Sequence, residues 1–556
     1  MKHCDTRKKI FTTEAGKPYT PKDLSLIGMR GFPASVVKLS KRVLNLRFFK
    51  CLIFGLSLFS TPLAVQAAPS LSSLYASLDP TSVAQHFAFY ELYPKTPEGH
   101  QALRHAWDLL SGGCADCDPE LVLPSLDLQP MIALVNRSNQ EHTPVLNEEQ
   151  LTVIEKLSRH LSNRSLKGFG LWDQDKILSL SPDQIDLSRG LLIAEMGSSE
   201  KLKIRSYEAS IDLMALQILA RLPSDATPKQ KIRAINDYIF SEMRFRFPPH
   251  SLHAKDIDLY TFLPSVLDSR RGVCLGVSVL YLSLAQRLNL HLESVTPPGH
   301  IYVRHVGEDG EITNIETTAR GIDLPSEMFL GVETKSLQTR NVKEVIGLCF
   351  MNQAAVSWHR QDPRTAVELY EKASPFLSND YLLNMFLGFN YLFIGKEEEG
   401  KKLLEKVRGV IPDHALTSDS ISEDYLQGFT DAEGIQAVYS EVNETRASIL
   451  EKRKKIESVL EKHPNFRQGI LHLAITYLQM GREKEALPIL ERYIGISPLD
   501  PTVNYYLSAI HFQRHNYTLS WKYLLAAEKI VQEKNHAPKA LLDLRKALER
   551  VCPERL

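Results

Sequence analysis

Apolar positions recur at helical spacing along most of this chain, and the pattern changes twice. In residues 82–90, 150–157 and 211–220 the apolar side chains fall three and four apart. Ser111-Gly112-Gly113, Gly168 and Gly170 break these runs. The pattern predicts a helical region over 68–225 that packs on the next domain as a lid or a partner platform. Over 226–340 the periods mix. A helix is expected at 228–243, then a loop through Pro248-Pro249-His250, then a helix from Cys274. Strands are expected around 300–305 and 311–317, where β-branched and aromatic residues gather, with Glu308-Asp309-Gly310 as the hairpin turn between them.

From 347 onward a 34-residue period takes over. A repeat from Tyr381 has Gly388 at position 8, Tyr391 at 11, Leu404 at 24 and Pro412 at 32. The repeat before it, from Gly347, has Ala354, Ala366, Tyr370 and Ala373 in register. A third, from Arg467, aligns Ala474, Tyr477, Ala486, Leu490 and Pro498; a fourth, from Pro501, aligns Ser508, Ser520, Leu524 and Ala527. In the fourth, His511 holds position 11 and the aromatic Phe512 comes one place late. Small residues at 8, 20 and 27 let two helices approach, and large ones at 11 and 24 fill the space between repeats. This is the tetratricopeptide length and pattern, which stacks into a solenoid that binds proteins or peptides. The repeats are expected at 347–414 and 467–534. An insertion with a charged, solvated helix through Lys452-Arg453-Lys454-Lys455 fills 415–466, and a capping helix fills 535–556.

The chemistry lies in the middle domain. Cys274 follows Arg270-Arg271-Gly272-Val273 and opens an apolar helix; His300 follows Pro298-Gly299; Glu316 ends the second expected strand. A thiol, an imidazole and a carboxylate in that order are the parts of a nucleophilic site. A thiol attacks as thiolate, a form that a helix N-terminus and neighbouring cations favour, and the free N–H groups there suit a developing oxyanion. Gly272 is expected to supply a tight turn. His253, His291 and His305 read as core or surface histidines, and Asp309 and Glu311 as solvent-facing turn acids.

With Phe262-Leu263-Pro264-Ser265-Val266-Leu267, Arg270 to Gly276 and Pro298-Gly299-His300, the stretch from about 228 to 318 resembles the bacterial branch of the transglutaminase-like (papain-like) superfamily fused to tetratricopeptide repeats. The resemblance implies an α+β core with a helical N-terminal region, followed by the all-α solenoid. It also implies Cys274 as nucleophile, His300 as base and Glu316 as orienting acid, with no cofactor and no metal. Two positions depart from transglutaminases proper: Leu275 replaces the aromatic residue after the cysteine, and Glu316 replaces the commoner Asp. The expected chemistry is therefore amide hydrolysis or acyl transfer, with hydrolysis favoured; the alternative is an inactive scaffold.

Charge and cysteines add a compartment. Residues 1–67 hold 12 Lys/Arg and 3 Asp/Glu, so the remaining 54 basic and 63 acidic residues leave the body at −9. A mildly acidic body argues against nucleic acid as a partner. Lys38, Lys41, Arg42, Arg47 and Lys50 precede an apolar run at 51–59, and Val65 and Ala67 offer a cleavage site. This is a signal-peptide pattern over 1–67, too short for a membrane span. It predicts export to a periplasm or the exterior, or else anchoring through 51–67. Cys114 and Cys117 form the only C-x-x-C; a local disulfide, half a zinc site and two separate thiols all fit.

Overall fold

The computed structural model describes residues 70–112, 121–136, 144, 146–248, 259–443 and 445–553. The signal-peptide pattern, Cys114, Cys117 and His253 lie outside them. Among the described residues no helix is long and apolar enough to cross a membrane.

The fold is mainly helical with one small sheet. Four antiparallel strands, β1 (Glu293–Thr296), β2 (Tyr302–Val306), β3 (Ile312–Ile315) and β4 (Gln338–Arg340), lie in the order β3-β2-β1-β4. In the β2–β3 hairpin Val303 pairs with Ile315 and Val306 with Ile312. Gly310 closes its turn in the left-handed region (φ 80°), and Gly307 N–H donates to Glu311 C=O. Against this sheet packs the cysteine helix, Cys274–Arg287, which is apolar on nearly every face because neighbours surround it.

The N-terminal helices back the cysteine helix. Arg287, the last residue of that helix, is fully buried and donates Nε to Asp212 Oδ1 at 2.6 Å. Asp212, on helix Lys201–Leu219, also takes Arg164. The contact is at the end opposite Cys274, so these helices buttress the cysteine helix from behind. The expected helix 228–243 changes character partway. It is α-helical over Pro228–Asn236 and π-helical over Asp237–Glu242.

Helices begin at Tyr381, Arg467 and Pro501, where the 34-residue repeats begin. The first repeat helix, Val342–His359, starts ahead of Gly347 behind an Asn341–Glu344 capping box. Small positions do what the pattern requires: Ala354, Ala366, Ala474 and Ala486 are fully buried, and Ser508 Oγ and Ser520 Oγ each donate to the other residue's carbonyl at 2.8 Å. His511 takes the place of the usual aromatic by stacking on Tyr523.

The charged helix of the insertion, Arg446–Lys462, is a solvated face only in part: Lys454 and Lys455 are exposed as expected. Lys452 and Arg453 are both buried. Lys452 Nζ donates to Val438 C=O at 2.6 Å, while Arg453 lies over Tyr477 and donates to Thr476. The Lys452 stem packs toward the preceding helix Ala432–Tyr439 and that of Arg453 toward the next repeat helix, which charge counting along the sequence cannot reveal.

Candidate thiol site

Cys274 is the first residue of its helix, half-buried, with Val273 as a cap that offers no side-chain acceptor. The first-turn N–H groups therefore have no side-chain partner there. The approach is set by packing. Arg270, not Gly272, adopts the left-handed conformation (φ 51°) that ends helix Leu263–Ser269. Gly272 is needed for closeness instead, since a Cβ there would come within 2.5 Å of Val277 Cγ2. Gly276 has the same reason: a Cβ would lie 2.3 Å from Tyr260 C=O.

His300 follows the 297–300 turn that its own N–H closes onto Pro297 C=O, just ahead of β2. Its Nε2 lies 2.6 Å from Glu316 Oε2, and its ring also hydrogen-bonds the Cys274 side chain. Nε2 is taken by Glu316, so Nδ1 is the nitrogen left for the thiol. Glu316 stands one residue past β3, almost fully buried, and caps the Thr317–Ala319 turn. Its Oε1 accepts from Thr318 N–H and, at 2.6 Å, from Thr318 Oγ1. The three residues singled out from sequence thus meet at one place. The rivals do not: Glu311 pairs with Lys229 at the surface, and His305 faces His291 C=O.

The electrostatics follow from these contacts. Burial alone would lower the His300 pKa, but the hydrogen bonds and charges of Cys274 and Glu316 outweigh it and raise it to about 10. Burial would likewise raise Glu316, yet His300 and both Thr318 donors hold it below the ordinary carboxylate value. An imidazolium paired with the Glu316 carboxylate is the favoured state at neutral pH. Elsewhere, burial pushes the Cys349 thiol well up.

Several supporting residues carry no sequence signal of their own. Thr317 Oγ1 pairs with Ser278 Oγ at 3.0 Å, tying the acid's turn to the cysteine helix. Phe329 stacks on His300 with ring centroids 5.9 Å apart and on Tyr302 at 4.7 Å. The Glu316-Thr317-Thr318 run could have flagged the threonines; nothing local flags Phe329. Among the described residues no group of three His, Cys, Asp or Glu is arranged to hold a metal ion.

Residues 205–342 match the family model of the transglutaminase-like superfamily. No curated protein sequence matches the chain. Similar solved structures include a thermophilic TPR protein of Thermus thermophilus. It is 14% identical over 37% of this chain and 97% of that one, with a TM-score of 0.19. Another is PilW, a widely conserved type IV pilus biogenesis factor, 15% identical over 38% of this chain and 95% of that one, with a TM-score of 0.17. At these scores the likeness adds nothing to the helix register described above. The chain joins a transglutaminase-like domain to tetratricopeptide-like helical repeats.

Proposed function

We propose that this protein is a cysteine-dependent amide hydrolase or acyltransferase whose repeats bind a protein partner or substrate. The observation that carries the reading is His300 held between the Cys274 side chain and Glu316. In the proposed reaction the Cys274 thiolate attacks an amide carbonyl. The oxyanion forms against the uncapped N–H groups of the helix start. The tetrahedral adduct collapses to a thioester, and the imidazolium gives its proton to the leaving amine. His300 then takes a proton from water, or from an acceptor amine, as that group attacks the thioester. Glu316 keeps the ring oriented and balances its charge. Leu275, fully buried beside the thiol, puts no aromatic wall there for a second substrate, which favours water as acceptor. Export of a chain that begins near Ala68 belongs to the same proposal, and N-terminal sequencing from the native host tests it.

Alkylation of each cysteine, followed by peptide mass spectrometry, tests the chemistry. Cys274 should react much faster than Cys552, which is similarly half-buried, and than buried Cys349. His300→Ala should slow Cys274 strongly and Glu316→Gln less so. An electrophilic peptide library should trap Cys274 in the unmodified protein. If Cys274 labels no faster than Cys552 near neutral pH, the domain is an inactive scaffold and the enzymatic reading falls.

A further inference from the structure

The segment that carries Phe329 does not stay with its own domain. After Ser326, which accepts from Arg304 Nη2 and Asn314 Nδ2 at 3.1 Å each, the chain passes Phe329 and crosses to the last repeats. There Gly331 C=O accepts from His536 Nε2 at 2.9 Å, across 205 residues of sequence. Farther along, at the end of the first repeats, Glu333 C=O accepts from Leu416 N–H and Lys335 N–H donates to His414 C=O, so Thr334 bridges to Ala415 as a short antiparallel pair. Val332 and Thr334 are buried. Among the described residues Val332 is the one member of the sheet domain that belongs to the apolar core of the last repeats.

We propose that the last repeats hold Phe329 against His300 through this strap, residues 325–336, and are thereby a positioning part of the thiol site. The inference rests on the proposed role of that site. The physical argument is geometric. The bond from Cβ and the hydrogen bond at Nε2 leave the imidazole one rotation, about the line between them, which swings Nδ1 toward or away from the thiol. Rotation about that axis is set by what lies on the ring's face, and that is Phe329, nearly parallel to it at 19°. Phe329 sits between two anchors, Ser326 on the sheet and Gly331–Val332 on the repeats. With the far anchor gone, the ring keeps only Ser326 and its stack on Tyr302, and water gains the face of His300.

The test uses the full chain and two readouts. One is exchange of the histidine C2 hydrogen by peptide mass spectrometry, which gives the ionisation of His300 itself. The other is the Cys274 alkylation rate. In the unmodified protein His300 should ionise near 10. Phe329→Ala should bring it back towards the ordinary histidine range, because water screens both partners and relieves burial together, and should slow Cys274 several-fold. Phe329→Tyr should restore both. His536→Ala and Val332→Ser should shift both readouts the same way by less, with exchange protection in Pro501–Gln513 unchanged. The double variant Phe329→Ala/His536→Ala should match Phe329→Ala alone, since the anchor acts only through that ring. The proposal is overturned if the anchor variants leave His300 unmoved while Phe329→Ala moves it, or if the two changes simply add. Failure of the enzymatic reading looks different: Cys274 then labels no faster than Cys552 in the unmodified protein, while His300 still responds to the strap.

Discussion

The first and last repeat pairs obey one 34-residue pattern but live in different cores. The first pair, from Val342–His359 to Glu397–Val407, shares a continuous apolar core with the N-terminal helices and the cysteine helix. Ile346 Cδ1 lies 2.9 Å from where a Cβ on Gly190 would be; Lys343 Nζ donates to Leu178 C=O, and Asn352 Oδ1 accepts from Thr261 Oγ1 at 2.5 Å. The last pair, Arg467–Leu478 to Tyr517–Gln532, has its own core. From the sheet domain that core takes in Val332 of the strap, and helix Arg446–Lys462 stands between the two units. The same sequence pattern therefore specifies how helices pair within a repeat but not what the pair is attached to. Attachment is written in the residues off the pattern: Asn352 and Lys343 in one case, His536 in the other.

The largest test of this division is Asp212→Asn, which strikes the first unit. It leaves the Arg287 guanidinium buried without its closest anion. Removing one partner of a buried pair costs about 3–5 kcal/mol, and Asp186, whose charge also bears on Arg287, keeps the cost near the lower end. In thermal unfolding followed by hydrogen exchange, the Lys201–Leu219 and Cys274–Arg287 helices should lose protection several degrees early, while Pro501–Gln513 keeps its own transition. A single joint transition would mean that the two cores are one cooperative unit.

Overpacking gives a matched pair of smaller perturbations. Gly388 faces Leu404 Cδ2 at 2.8 Å from its would-be Cβ, and Ala474 is fully buried at the same repeat position. Leucine at either site should cost about 1–3 kcal/mol. Gly388→Leu should destabilise the first unit and slow Cys274 alkylation with it. Ala474→Leu should lower only the stability of the last repeats, and should reach Cys274 no more than His536→Ala does. Equal effects on Cys274 from both would erase the distinction.

What the sequence shows and hides follows the same line. The order of Cys274, His300 and Glu316 is legible because each stands beside a local signal: a helix start, a Pro-Gly turn, a hairpin. The repeat starts at Tyr381, Arg467 and Pro501 are legible because small and large positions recur. Phe329 is not, since its ring partners are fixed by a strap whose far anchor lies 205 residues away. Nor is the role of Gly272, which depends on Val277 packing back across a turn. Lys452 and Arg453 mislead for the opposite reason. A charge run has a local signal, solvation, which tertiary packing overrides.

Lys452 gives the smallest and most specific test, because it sits in the helix between the two units. Its ammonium is buried and donates to Val438 C=O, and burial lowers its pKa to about 7. The unfolded chain keeps the lysine protonated up to about 10.5. Between these values the unfolded state binds more protons than the native one, so stability rises with pH, by at most about 1.4 kcal/mol per pH unit. Below pH 7 both states are charged and the full burial penalty stands. Lys452→Met should abolish this slope. The variant should be more stable than the unmodified protein near pH 6. Near pH 9 that advantage should shrink or reverse, because Val438 C=O has lost its donor, a loss of about 1 kcal/mol. Urea midpoints of the two proteins from pH 6 to 9.5, read by exchange in Arg446–Lys462 and Arg467–Leu478, give the comparison. Parallel curves would show that the amine reaches water in solution, and the junction between the two units would then be looser than its packing implies.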